Sequence, residues 1–155
     1  MERRSEIAER RVVIAVGLSS LAMLILATAM PVFGWSFSHA VLGTACHQDP
    51  ERCLPIAGLP MSLCARCSAI FSGLFLGSGL IFVSAPSRRL ALRLLLFAAS
   101  ATALDVLAES AGLFNNLVSL RLVTGWVLGF AIILMIGSQG TLGALIKPSP
   151  TSVHT

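Results

Sequence analysis

Residues 12–33 read VVIAVGLSSLAMLILATAMPVF, and this uncharged run decides the fold class. A helix rises about 1.5 Å per residue, so a run of this length crosses the roughly 30 Å apolar core of a bilayer. Three further apolar segments of similar length follow at 61–83, 90–111 and 117–136. The alternative for the first run is a secretory signal peptide cleaved after Ala-Thr-Ala at 27–29, but its length favours a membrane span.

The composition supports the same conclusion. Of the 155 residues, 55% are hydrophobic and only 12% are charged, and the mean hydropathy is +0.87. So few charges do not cover the surface of a water-soluble domain. We therefore predict an all-α membrane protein, a single membrane domain over 1–155 built as a four-transmembrane-helix bundle. The net charge of +4 comes from short arginine clusters beside apolar runs, which argues against a nucleic-acid partner and for the lipid bilayer.

The positive charges also predict the orientation. They precede the first span, occupy the turn between the second and third, and follow the fourth: Arg3, Arg4, Arg10, Arg11, Arg88, Arg89, Arg93 and Lys147. With four spans these groups share one side, which the positive-inside rule makes cytoplasmic. Both termini are then cytoplasmic in the cell (inner) membrane. The loop 34–60 lies on the extracytoplasmic side, and 138–155 form a flexible tail.

All four cysteines fall between positions 46 and 67, in CHQDPERC and CARC. Cys64 and Cys67 are three residues apart and share one face at the start of the second helix, with Ser62 as the expected N-cap. The positive end of the helix dipole and the neighbouring Arg66 favour the thiolate form. Paired thiolates of this kind suit either metal ligation or disulfide exchange.

Three interpretations of these residues remain open. In the first, Cys46, Cys64 and Cys67 bind zinc or another soft or borderline metal, with His47 or Cys53 as the fourth ligand. In the second, Cys46–Cys53 and Cys64–Cys67 are redox pairs of a thiol–disulfide oxidoreductase that passes electrons to a quinone, which makes the chain an enzyme. In the third, the cysteines form structural disulfides. A non-enzymatic subunit of a larger membrane complex, or a homo-oligomer, is a further class that fits the size.

The two cysteine motifs resemble the signature of a family of small bacterial and archaeal integral membrane proteins of unknown function. Its Cys-His-Gln-x-Pro-x-Arg element stands here at 46–52, and its Leu/Val-Cys-Ala-Arg-Cys element at 63–67. The resemblance extends to an intramembrane Asp, here Asp105, and to Arg-x-x-Thr-Gly at 121–125. The family more commonly has Ser or Thr at the position of Cys53. The resemblance therefore implies a site built on Cys46, His47, Cys64 and Cys67.

Charged residues also stand within the third and fourth apolar segments. Asp105 and Glu109 are one turn apart on one helix face, and a carboxylate in hydrocarbon is costly unless it is paired. Arg121, across the short turn, is the expected partner of Asp105. The charges serve either as a structural clamp or as a proton relay or cation path below the cysteines.

Two Gly-x-x-x-Gly patterns, at 73–77 and 125–129, predict close packing of the second and fourth helices. With no Cβ at the first and last position of each pattern, two helix backbones approach more closely than larger side chains allow.

Overall fold

The computed structural model of the chain describes residues 2–33, 40, 42–43, 46, 49–56, 58–83, 86–112 and 118–138. Its main elements within these ranges are four long α-helices, a short 3-10 helix and one two-stranded sheet. The helices are α1 (Glu2–Phe33), α2 (Ala65–Ile81), α3 (Arg88–Ser110) and α4 (Val118–Gly137). The predicted all-α, four-helix architecture is confirmed. The predicted tail lies outside the described residues, apart from Ser138, and the single domain over 1–155 stays a prediction.

Three of the described helices are long and apolar enough to cross a membrane. They are α3, α4 and the part of α1 from Arg10 to Ala29. The predicted spans 90–111 and 117–136 match α3 and α4 to within two residues at each end. The second span was predicted to begin at Met61, and this was wrong, because α2 begins only at Ala65. With 17 residues, α2 is about 25 Å long, at the short end of what spans a bilayer.

The residues before α2 form a β-hairpin, which the sequence did not predict. Strand β1 (Cys53–Ile56) pairs with β2 (Leu59–Cys64) in antiparallel register. The Ile56–Leu59 pair stands next to a tight turn in which Gly58 has φ of 82°, a conformation that favours glycine. The strand β2 leads directly into α2, with no residue between Cys64 and Ala65.

Helices α2 and α4 pack closely through the predicted glycine patterns. A Cβ at Gly125 would lie 2.6 Å from the carbonyl oxygen of Arg66, and one at Gly129 would overlap the backbone of Ile70. On the other helix, Gly73 faces the backbone of Trp126 in the same way. Backbone against backbone leaves no side chain to move aside. The contact therefore fixes α4 against the first three turns of α2.

Apolar side chains form two buried clusters at opposite ends of the helices. One joins the start of α1 and α3 to the end of α2 and α4: Val13, Ile81, Ala91, Ile133 and Leu134. The other joins the end of α1 to strand β2: Ala27, Leu42, Cys46, Met61 and Leu63. On α3, large side chains such as Leu96, Phe97 and Leu104 point outward and are 59–69% exposed, as expected for a face in contact with lipid.

Candidate functional site

A short 3-10 turn, Pro50–Arg52, leads into β1 and directs Arg52. Asp49 is its N-cap: one carboxylate oxygen accepts a 3.2 Å hydrogen bond from the backbone N–H of Glu51. The other pairs with the Nε of Arg52 at 3.0 Å. Proline at the first position suits the turn because its missing N–H is not needed there. The sequence Asp-Pro-Glu-Arg therefore holds the arginine beside Cys53 in a defined direction.

Cys64 lies at the junction of β2 and α2, and it is the N-cap of the helix with an extended backbone. The prediction that Ser62 caps the helix was wrong, because Ser62 is a fully buried residue within β2. Strand pairing extends through Cys64 itself, opposite Cys53, and so delays the start of the helix. Cys67 stands three residues later, in the first turn, where the dipole of the helix is positive.

Three thiols come together at this junction. The Sγ atoms of Cys46, Cys64 and Cys67 all lie within 4.8 Å of one another. We call these three residues the thiol triad. The backbone N–H of Cys64 donates a 3.3 Å hydrogen bond to the Sγ of Cys46. Hydrogen bonds from backbone N–H groups stabilise thiolates. The start of α2 therefore supplies the sulfur atoms of Cys64 and Cys67, and also an N–H donor to the sulfur of Cys46.

The thiol triad is enclosed by apolar side chains. Cys46 is 6% exposed and packs with Leu42, Met61 and Leu63, while Cys64 and Cys67 contact the same cluster. The hydroxyl of Ser68 donates to the carbonyl of Cys64 at 3.0 Å. Cys46 is therefore shielded from water, whereas Cys64 and Cys67 are half-buried.

Cys53 stands apart from this group. It is buried and faces Cys64 across the hairpin, but it does not belong to the set of three converging sulfurs. Burial raises the pKa of the Cys53 thiol to about 11, and the neighbouring thiols of Cys46 and Cys64 add to the rise. The side chain is therefore a neutral thiol at neutral pH, unlike a free thiolate ready for exchange.

The grouping bears on the predicted ligands. Three of them, Cys46, Cys64 and Cys67, are brought together, whereas Cys53 is only adjacent. His47 lies outside the described residues. The redox interpretation required Cys46–Cys53 and Cys64–Cys67 as two pairs. The described cysteines form instead a group of three and a single neighbour.

Beside the thiol triad lies a network of ion pairs centred on Glu109 of α3. Its carboxylate forms ion pairs with Arg52 at 3.2 Å, with Arg66 at 3.6 Å, and with Arg121. Arg66 also pairs with Asp105 at 2.5 Å. The side chains of Arg121 and Asp105 are only 6% and 11% exposed. Charges in such positions need partners, and each of these has one.

The predicted pairing of Asp105 with Arg121 was wrong. Glu109 is one residue from the end of α3 and Arg121 is three residues into α4, so these two face each other next to the turn. Asp105 lies one turn deeper and meets Arg66 instead. From the sequence, Arg66 was expected only to lower the thiol pKa, and Arg52 had no expected role. The signal that could have found them is that two arginines flank the cysteines of a chain with only seven acidic residues.

Two cavities border the site. A polar one of about 190 Å³ lies against the ion pairs and is lined by Arg52, Arg66, Val106, Glu109 and Ser110. A larger apolar groove of about 560 Å³ lies between α1, the hairpin, α2 and α4. Its lining is Leu24, Thr28, Leu54, Ile56, Met61, Ser68, Ala69, Ser72, Leu122, Val123 and Trp126. The hydroxyls of Thr28, Ser68 and Ser72 are all bonded to backbone carbonyls, so the groove presents an apolar wall.

Comparison with known proteins gives a match that starts at the first cysteine. Residues 46–135 match the protein family described as "Predicted membrane protein (DUF2085)". The matched part is more than half of the chain and takes in the hairpin, α2, α3 and nearly all of α4. This chain belongs to that family. The membrane assignment and the resemblance to a family of small membrane proteins of unknown function are thereby confirmed, while the two cysteine motifs as its signature stay a prediction.

A more distant relative is archaeal. The chain is 30% identical over 105 residues to Uncharacterized protein MJ1492 of Methanocaldococcus jannaschii, an alignment that covers 63% of this chain and 65% of the relative. The alignment thus spans just under two thirds of the length of that curated relative. No solved structure matches the chain.

Proposed function

We propose that this protein is a metal-binding integral membrane protein, with the thiol triad as ligands and zinc as the first metal to test. The observation that carries the proposal is the convergence of three sulfur atoms within 4.8 Å of one another. Zinc–sulfur bonds of about 2.3 Å place the sulfurs of a tetrahedral site about 3.8 Å apart. The triad therefore needs only a small contraction to hold such an ion.

The electrostatics of the site support the same proposal. Three thiolates and one divalent cation leave a single negative charge, in place of three separate ones. The positive end of α2 points at Cys64 and Cys67 and offsets that charge. The apolar enclosure of Cys46 makes separate thiolates costly and a nearly neutral complex far less so.

Elemental analysis combined with thiol counting tests the proposal on freshly purified full-length protein. We expect about one equivalent of metal per chain in the wild type. In Cys46→Ser the metal content should fall at least tenfold, because one of three converging ligands is removed. Ser72→Ala is the control, since it changes a half-buried side chain of α2 that belongs neither to the triad nor to the candidate fourth ligands. Wild-type protein without metal, or equal metal content in Cys46→Ser and wild type, would contradict the proposal.

The fourth ligand is proposed separately. His47 follows Cys46 directly in the sequence and offers an imidazole, and Cys53 is the other nearby donor. Comparing His47→Ala with Cys53→Ser separates the two: the variant that lowers metal affinity identifies the ligand. If neither has an effect, water or a partner group completes the coordination.

A thiol–disulfide oxidoreductase coupled to a quinone is the second candidate, and the apolar groove favours it. The groove reaches Met61 and Ser68, and the latter is bonded to the carbonyl of Cys64. Its size suits a flat apolar ring. In this case thiol counting under oxidising and reducing conditions would show two thiols that interconvert with a disulfide. Thiols that stay reduced and metal-bound across that range exclude it.

The orientation is also proposed. The arginines at the start of α1 and of α3 support a cytoplasmic location for both termini, and so for the ends of α2 and α4. The thiol triad is then on the extracytoplasmic side of the inner membrane. A C-terminal reporter protein that is active only in the cytoplasm checks this, because activity is expected there and its absence would reverse the assignment.

A further inference from the structure

Glu109 connects three elements that are otherwise distant in the chain. Its carboxylate meets Arg52 from the 3-10 turn, Arg66 from the first turn of α2, and Arg121 from α4. The backbone of α3 packs chiefly against α4, its neighbour in the chain. Contact between α3 and the cysteine-bearing part of the protein therefore depends largely on side chains, and among the described residues the ion pairs of Glu109 and Asp105 provide them.

Two of these arginines are chain neighbours of cysteines. Arg52 immediately precedes Cys53, and Arg66 stands between Cys64 and Cys67. The segment that runs from Cys46 to Arg52 is therefore anchored at its last residue by the ion pair of Arg52 with Glu109. The same carboxylate pairs with Arg66 in the first turn of α2. The triad takes the sulfur of Cys46 from that segment, and those of Cys64 and Cys67 from the N-cap and the first turn of α2.

We propose that Glu109 is a positioning residue for the thiol triad. It holds the Cys46 segment and the first turn of α2 at the separation that three converging sulfurs require. The proposal rests on the proposed metal site for its functional meaning. The positioning itself is a statement about where the three sulfur atoms lie, with or without a metal. Residues that orient metal ligands from outside the coordination sphere commonly change the affinity by about 10–100-fold when they are replaced.

The test uses full-length protein in mild detergent and Co²⁺ as the probe, because sulfur-to-cobalt absorption reports on thiolate ligands directly. We expect Glu109→Gln to weaken Co²⁺ binding by about tenfold or more and to reduce this absorption. Glu109→Asp keeps the charge and should recover a substantial part of the affinity. Asp49→Asn is the matched control: it also changes a carboxylate that pairs with Arg52, yet asparagine keeps the N-cap, so its affinity should stay within about twofold.

A merely structural role has a different signature. It would lower the melting temperature of Glu109→Gln while the folded protein binds Co²⁺ with wild-type affinity and spectrum, and that result would overturn the proposal. If Glu109→Gln does not accumulate, Arg52→Gln replaces it. The Arg52 side chain is 51% exposed, so this variant releases only the Cys46 segment, and a several-fold loss of affinity is expected.

Failure of the metal site itself is distinguishable. If wild-type protein binds no Co²⁺, the proposed function is wrong, and the rates at which iodoacetamide alkylates Cys64 and Cys67 then decide the positioning. Alkylation rates that differ several-fold between Glu109→Gln and Asp49→Asn support the positioning role of Glu109. Equal rates in the two variants contradict it.

Discussion

Replacing Gly129 by alanine is expected to destabilise the protein by about 3 kcal/mol, the upper part of the range for overpacked sites. The new Cβ would overlap the carbonyl group and Cα of Ile70 on α2, which are backbone atoms. A side chain in this place would rotate away, whereas the backbone of a helix moves only if the two helices separate. Titration of the purified protein from mild detergent into sodium dodecyl sulfate, followed by circular dichroism, measures the loss.

Gly79→Ala is the matched control on the same helix pair. Gly79 lies in α2, is exposed, and has no atom within 4 Å of the position that an added methyl group would take. There alanine should be neutral or stabilising by up to about 1 kcal/mol, because it lowers the entropy cost of the helix. Equal effects of the two substitutions would show that α2 and α4 are not in backbone contact at Gly129.

The helices were predictable because hydrocarbon leaves little choice of structure. A backbone in a bilayer must satisfy its own hydrogen bonds, so long apolar runs become helices. The ends of α3 and α4 were accordingly predicted within two residues. The Gly-x-x-x-Gly patterns were informative for a related reason, since packing between membrane helices depends on small residues.

The hairpin was not predictable from the same signals. Met61 and Leu63 are as apolar as the helix that follows, so hydropathy extends the span to include them. Two prolines, Pro55 and Pro60, interrupt any alternating pattern, although the structure pairs them opposite each other across the hairpin. Strand pairing is a contact between two segments, and the hydropathy of a single window does not report it.

The candidate site was also predictable only in part: the residue types could be read from the sequence, but their spatial arrangement could not. Residue types indicated which side chains carry chemistry. The structure brings Cys46 to the two cysteines at the start of α2, which are 18 and 21 positions later in the chain. Which arginine each carboxylate of α3 pairs with depends on its position along the helix, to within a single turn. Asp105 and Glu109 differ by that turn, and this offset assigns Arg66 to one and Arg121 chiefly to the other.

The ion pair between Glu109 and Arg121 leads to the second large prediction. Glu109→Leu should destabilise the protein by about 3–5 kcal/mol, because it leaves Arg121 buried without its carboxylate. The Arg121 side chain is 6% exposed, and Glu109 is its ion-pair partner among the described residues. The same detergent titration measures the effect. Asp49→Asn serves as the control, because it removes the charge of an exposed pair that contributes at most about 1 kcal/mol and keeps the N-cap.

A double variant separates the cost of the stranded charge from that of lost packing. In Glu109→Leu with Arg121→Met, the unpaired buried charge is gone, and a buried pair replaced by apolar side chains is often close to neutral. We expect this variant to recover most of the stability lost in Glu109→Leu. The recovery should be incomplete, because Arg66 and Arg52 still lack one carboxylate, although Arg66 retains Asp105 and Arg52 retains Asp49. A double variant no more stable than Glu109→Leu would mean that the charge of Arg121 is not what makes the single substitution costly.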